Sequence, residues 1–436
     1  MKRNPNFPFA PAKFPFFYGW VSMIAGTLGV LCSIPGQTMG VSVFTDYLIE
    51  SLQLSRDALS MAYLIGTVTS SFFLTYAGKI YDKFGARFTA IIAALGLAIT
   101  LMLFSVSNNI TLSLSNIFHL GYSTIAFIVV SLLFFVLRFS GQGVLTLASR
   151  NLIMKWFDQR RGFANSISSA FQSFGFAVSP LFIAMLITDY NWNTAYQILA
   201  LLTLFFVAFA FVFFRDNPEE CGLIPDGEKL EPKLKGNADF QRKKQYTLQE
   251  ARSTWVFWVF ALGLSFSAFF ITGFTFNVIS IFESCGFSEQ KALGVFIPAS
   301  IISIITAIVG NIISDYARLQ KLLIAYLIGC LLSALGVAIL QYQIGYYILI
   351  LGNGVMGGLF SVLAAITWPR FYGRQHLGAI SGLSMSLIVF SSAIAPLFFS
   401  RIFTLTGSYS LAGYAGVLVV VIILLFSGKA KNPQLQ

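Results

Sequence analysis

Charge is scarce in this chain: 10% of its 436 residues are Asp, Glu, Lys or Arg, against roughly 25% in soluble domains. So little charge cannot keep a globule of this size in water when 56% of the residues are hydrophobic and 16% aromatic. Cysteine is scarce too. Cys32, Cys221, Cys285 and Cys330 show neither metal-ligand spacing nor a disulfide framework, so they read as small apolar residues. Acids are outnumbered, 17 to 28, for a net charge of +11. A basic chain can serve nucleic acid, but these Lys and Arg recur in short segments between apolar runs and form no single patch. No nucleic-acid partner, metal or cofactor is expected.

What the chain has in plenty is apolar runs near the length of about 20 residues that crosses a bilayer. They fall near residues 17–44, 58–77, 88–106, 122–147, 163–187 and 194–214, then near 255–282, 292–313, 321–341, 344–367, 378–402 and 409–427. The expected fold is an all-α membrane protein with 12 transmembrane helices in two six-helix bundles. Residues 1–214 would form the first bundle, 215–254 a cytoplasmic linker and 255–436 the second. The linker carries five acids between Asp216 and Glu228 and the basic run Arg242, Lys243, Lys244. Its end, TLQEARSTW, predicts a short amphipathic helix at the membrane surface.

Topology follows from the basic residues. With the N-terminus inside, 24 of the 28 Lys and Arg fall on the inner side, from Lys2 and Arg3 to Lys429 and Lys431. Arg56, Lys291 and Arg401 are left outside, and Arg138 lies within a span. That asymmetry predicts both termini in the cytoplasm and a multi-pass protein of an inner membrane. The opening MKRNPNFPFAPAKFPFF lacks a small-residue cleavage site after an apolar core, so a cytoplasmic tail is expected there.

The two halves are alike. KWFDQRRGF at 155–163 aligns with FYGRQHLGA at 371–379, which pairs Gly162 with Gly378 and Gln159 with Gln375. Pro180-Leu181-Phe182 then matches Pro396-Leu397-Phe398 at the same offset of 216 residues. Duplication of this kind suggests two similar bundles around a midplane site.

Between the second and third runs the chain reads GKIYDKFGAR. Gly78, Asp82, Lys83, Gly85 and Arg87 resemble the loop between helices two and three of the major facilitator superfamily, with Ala86 where a basic residue is usual. The second half holds a partial copy, NIISDYARLQK, with Asn311 in the glycine's place, then Asp315 and Arg318. Further phrases, FFYGW, LSRDALSMAY, GQG followed by KWFDQRRGFA, and ECGLIPDGE, resemble the monocarboxylate and oxalate–formate transporter groups. The resemblance implies a secondary transporter of a small organic anion, and gating roles for the residues of the two loop motifs. Two features depart from those groups: no basic residue lies mid-membrane in spans one or eight, and Ser179 precedes Pro180 where span five would carry Gly-Pro.

Arg138 is the one cation inside an apolar span. Placing it mid-bilayer costs about 2.5–3.5 kcal/mol on insertion scales, so something polar must compensate. The guanidinium either pairs with an anionic substrate, with geometry suited to a carboxylate, or hydrogen-bonds backbone carbonyls and hydroxyls and ties helices together; it also resembles the superfamily's span-four Arg, which implies a coupling or gating residue in place of a ligand. No Asp, Glu or His lies inside any span. That argues against a cationic cargo and removes the ordinary proton relay, leaving proton coupling, exchange and facilitated diffusion all open. Arg401 is either a second anion contact or an interfacial Arg that snorkels to headgroups. Asp82 is either a gate facing a helix N-terminus or a solvated loop charge. Gln142, Tyr63, Asn165, Gln37, Asn277 and Asn353 are candidate substrate contacts, as are Thr38, Gln172 and Ser384; each serves equally as an interhelical hydrogen-bonding residue. GNGVMGG at 352–358 has no preceding strand and no following Lys-Ser/Thr, so it is not a phosphate loop.

These observations predict a monomeric, non-enzymatic carrier that moves a small organic anion, a monocarboxylate or dicarboxylate, by alternating access. An exporter of an amphipathic solute such as a drug or siderophore is the second reading, and a non-transporting membrane sensor the third.

Overall fold

The structure, a computed structural model, describes residues 5–227 and 244–435. Lys2, Arg3, Arg242 and Lys243, which help to orient the chain, lie outside the described residues. Every regular element among the described residues is helical. Among the described residues, ten helices are long and apolar enough to cross a membrane. One of them, Arg56–Ser105, has 50 residues and breaks at Gly85, where φ is 83°, so it makes two crossings. Counting the shorter apolar helix Gly19–Cys32 then gives the twelve crossings expected of an all-α membrane protein.

In the first half, α1 (Gly19–Cys32), α2 (Thr38–Ser42), α3 (Thr45–Leu52) and α4 (Arg56–Ser105) are followed by α5 (Ser107–Phe118) and α6 (Tyr122–Leu137). A π-helical segment, Arg138–Leu145, joins α6 to α7 (Thr146–Trp156), and α8 (Arg161–Tyr190) and α9 (Trp192–Phe213) follow. The second half holds α10 (Leu248–Ser253), α11 (Trp255–Phe276), α12 (Val278–Glu283), α13 (Glu289–Leu293) and α14 (Phe296–Ser314). It ends with α15 (Leu319–Ala338), α16 (Gln343–Tyr372), α17 (Leu377–Thr406) and α18 (Ser410–Ser427). The duplication is visible in these bounds. Both α8 and α17 have 30 residues, and their first residues, like Pro180 and Pro396 within them, lie 216 positions apart.

Span one is not the continuous helix expected over 17–44. Pro35 lacks a backbone N–H, and Ile34-Pro35-Gly36 forms a 3₁₀ turn between α1 and α2. The short helix expected before span seven is α10, and it opens with a capping box. Thr247 accepts the N–H of Glu250, and Glu250 accepts the N–H of Thr247, so each satisfies an orphan donor of the first turn.

The chain forms two compact units. The first contains the residues up to Phe157, those from Ala170 into the linker, and Ser381–Ser386 of α17. There α4 packs on α6 and α9, and α1 on α7. The second contains Asp158–Ser169, the rest of the second half up to Ile380, and the residues from Leu387 onward. Its core is α15 and α16 flanked by α14 and α18. The glycines of GNGVMGG make that core possible: a Cβ on Gly352 would strike Ser333 N, and one on Gly358 would lie 2.5 Å from Ser303 O.

Candidate functional site

The 3₁₀ turn in span one leaves backbone carbonyls without helical partners among apolar side chains, where an unmet polar group is costly. Arg138 meets one of them. Its Nη1 donates to the Gly36 carbonyl at 3.1 Å and to Thr38 Oγ1 at 3.4 Å. The approach depends on two glycines, since a Cβ on Gly36 would lie 2.8 Å from Gly141 Cα. The guanidinium sits over the Tyr63 ring at 5.1 Å, a cation–π geometry. Tyr63 in turn shares a hydrogen bond with Thr38 at 3.0 Å. Arg138 is 1% exposed. Among the described residues no carboxylate pairs with it, and its Nε is buried without a partner.

One turn on, the side-chain oxygen of Gln142 is likewise buried and without a partner among the described residues. Gln37 Nε2 donates to Ser33 Oγ at 3.1 Å and to Thr146 Oγ1 at 3.2 Å, which ties the broken span one to span four. The expected residues Arg138, Gln142, Tyr63 and Gln37 therefore share one polar cluster in the first unit. The hydrogen bonds give Arg138 the helix-tying part of its two readings. One amino group ties helices together, while the Nε side of the guanidinium is unused. That side can meet a carboxylate through two parallel N–H···O bonds.

Asn165, Asn277, Asn353 and Arg401 lie in the second unit, and the three asparagines have partners of their own. Asn165 donates to Asn311 Oδ1 at 2.8 Å. Asn277 stands at the break between α11 and α12 and donates to the Gly273 carbonyl at 2.9 Å. Asn353 accepts from Ser333 at 2.5 Å and joins α16 to α15. Arg401 is exposed near the end of α17.

The loop motif of the first unit is built around Gly85. Its positive φ suits glycine, and a Cβ there would strike the Asp216 carboxylate. Asp216 accepts the backbone N–H of Arg87 at 2.8 Å. The Arg87 side chain donates to the carbonyls of Phe214 at 2.7 Å and Phe7 at 3.0 Å. Gly78 is buried: a Cβ on Gly382, from the α17 segment of this unit, would lie 3.3 Å from Gly78 Cα. Asp82 is half-buried and Lys83 exposed.

In the second unit the partial copy is centred on Asp315, 3% exposed. It accepts the N–H groups of Gly162 at 2.9 Å and Phe163 at 3.2 Å, in the first turn of α8. The nearby cation is Arg370, 3.9 Å away, whereas Arg318 is exposed at the start of α15. Sequence reasoning missed Asp216, hidden among eight linker acids, and Arg370, which reads as one more inner-loop cation.

Broken and π-helical crossings that converge on a buried cation, carried on duplicated helical units, define a membrane transport protein. Residues 26–396 match the Major Facilitator Superfamily, and the chain belongs to that family. It is 24% identical over 230 residues to the glucose transporter GlcP of Staphylococcus epidermidis (strain ATCC 12228 / FDA PCI 1200), a stretch covering 48% of this chain and 51% of that one. The chain thus spans about half the length of that relative. It is 23% identical over 416 residues to the probable sulfoacetate transporter SauU of Cupriavidus necator (strain ATCC 17699 / DSM 428 / KCTC 22496 / NCIMB 10442 / H16 / Stanier 337), covering 88% of each. Among solved structures, the transporter FucP in the outward conformation aligns with a TM-score of 0.67 at 13% identity, over 95% of this chain and 99% of that one. The human organic anion transporter MFSD10 (TETRAN) aligns at 0.57 and 13% identity, over 94% and 99%. At these identities the structures speak for the fold alone.

Proposed function

We propose that this transporter carries a small organic anion, with one or two acidic groups, by secondary transport and alternating access across an inner membrane. In this reading residues 1–214 and 255–436 are the two moving bundles, 215–254 is the cytoplasmic linker, both termini face the cytoplasm and the carrier acts as a monomer. The observation that carries the substrate class is the free Nε side of Arg138. The chain holds a permanent cation in an apolar span with no acid beside it among the described residues, and an anionic cargo supplies the missing charge. The likeness to SauU, a probable sulfoacetate transporter, over 88% of both chains supports the same class, since a sulfonate and a carboxylate present similar oxygens to a guanidinium.

The gate residues of this reading are Gly78, Asp82, Lys83, Gly85 and Arg87 in the first half and Asp315 and Arg318 in the second. Asp315 supports it by binding a helix N-terminus, a contact that opening would break.

The test is uptake into proteoliposomes of labelled oxalate, lactate, succinate and sulfoacetate, with glucose, fucose and choline alongside. Uptake of at least one acid is expected, with at least a tenfold loss of kcat/KM in a folded Arg138→Gln variant. Uptake of only the neutral or cationic solutes would overturn the substrate class, and so would full uptake of the acid by the variant.

A further inference from the structure

Arg150 is counted above with the inner-loop cations, but the structure sets it inside the crossing Tyr122–Trp156, six residues before its end. It is half-buried. Its side chain donates to Gln172 Oε1 of α8 at 3.5 Å, and among the described residues no carboxylate pairs with it. Span four therefore carries two cations that no acid pairs with among the described residues, in an apolar crossing where charge is costly.

Their register is set by the π-helical segment. In an unbroken α-helix, residues 12 apart are turned about 120° from one another around the axis. The π segment Arg138–Leu145 inserts about one residue without advancing the face. That removes about 100° and leaves the two arginines only about 20° apart. The same correction straightens the four-residue steps between them, so that Arg138, Gln142, Thr146 and Arg150 form one polar ridge. The neighbours agree with this placement. Thr146 shares hydrogen bonds with Ser33 at 3.0 Å and Gln37 at 3.2 Å, and the side-chain oxygen of Gln142 has no partner among the described residues. About 18 Å of helix separates the two arginines, too far for one small anion to touch both side chains' helix positions at once.

We propose that Arg150 is a second anion contact, which receives the cargo's carboxylate after it leaves Arg138 on its way to the Trp156 end of span four. The proposal rests on the anion reading of Arg138 and adds a second station to it. The π segment is the element that places both stations on one face.

Two measurements test it. In proteoliposomes given labelled oxalate, lactate or succinate, Arg150→Gln is expected to lower kcat at least about fivefold with KM changed less than about twofold, and Arg150→Lys to restore most of the rate. In the wild-type protein, phenylglyoxal modification followed peptide by peptide by mass spectrometry is expected to slow at least about threefold at both Arg138 and Arg150 when oxalate, lactate or succinate is present. Wild-type kcat in a folded Arg150→Gln variant, or protection confined to Arg138, overturns the second station and leaves the Arg138 reading standing. Protection at neither arginine, or no uptake of any of the three acids, overturns both.

Discussion

Asp315 Oδ1 accepts the backbone N–H of Gly162 at 2.9 Å. Its other oxygen takes the next N–H, that of Phe163, at 3.2 Å. A buried carboxylate thus closes the start of α8, where free N–H groups and the helix dipole both favour negative charge. Arg370 supports it, with Nη2 3.9 Å from Asp315 and Nη1 bound to the Ser314 carbonyl at 2.6 Å. Asp315→Ala removes both acceptors and the carboxylate beside Arg370. A loss of about 1–3 kcal/mol is expected, read as a fall in melting temperature in detergent. Asp315→Asn keeps one acceptor oxygen and loses the charge, so it should fall between the wild type and the alanine variant. Equal melting temperatures for all three would show that the carboxylate does not hold the helix start.

Gly85 and Asp216 are coupled in the same way on the first unit. Any side chain at 85 meets both a left-handed φ and the carboxylate. Gly85→Ala is expected to destabilise by about 1–2 kcal/mol from backbone strain alone, with the collision in addition. Asp216→Ala should also destabilise, because the Arg87 N–H loses its acceptor. The double variant relieves the collision, so its loss should be smaller than the sum of the two singles by about 1 kcal/mol. A double-mutant cycle in chemical denaturant measures this directly, and strict additivity would refute the coupling.

Much of this architecture is legible in the sequence. Apolar length locates the crossings, and Gly85 of GKIYDKFGAR marks the one residue within α4 whose backbone leaves the helix. Arg138 stands out because a lone charge in an apolar run is rare. What escaped are features that depend on three-dimensional partners. Asp216 reads as one linker acid among eight until Gly85 brings its loop against it. Arg318 occupies the motif position, yet Arg370, 52 residues later, reaches Asp315. Pro35-Gly36 does signal the break in span one, but the apolar residues around it mask that signal. The π segment has no local code at all: it is a one-residue excess in a helix, visible only once hydrogen-bond partners are known. Without it, Arg150 falls about 120° from Arg138 and reads as an unrelated loop cation.

The crossing of span one over the π segment admits no side chain at 36. A Cβ there would lie 2.8 Å from both Gly141 Cα and the Leu137 carbonyl oxygen. Backbone cannot yield as a side chain does, so Gly36→Ala must push span one away and carry the Gly36 carbonyl off Arg138 Nη1. A stability loss of about 1–3 kcal/mol is expected from overpacking. Transport should fall further than stability accounts for, because the guanidinium loses the bond that holds it. Uptake of labelled acid per folded molecule separates the two effects. Normal uptake in a correctly inserted variant would show that the Gly36 bond does not position Arg138.

Cys221 offers a check outside the membrane. It is 4% exposed, at the end of a 3₁₀ turn that follows the sixth crossing. Burial disfavours the thiolate and pushes its pKa from an ordinary 9.0 up to about 11, although the nearby Arg215 pulls the other way. Only the thiolate attacks a maleimide. At pH 7.5 a thiol of pKa about 11 is ionised to only about three parts in ten thousand, so alkylation of the folded protein by N-ethylmaleimide should be slow. The rate should rise about tenfold per pH unit and level off only near pH 11. Cys285, half-buried in the second half, is the internal comparison and should label first at pH 7.5. Peptide mass spectrometry after timed alkylation follows both sites in one sample. Labelling of Cys221 at pH 7.5 as fast as Cys285 would mean that the linker's opening turns are not packed against the first unit in solution.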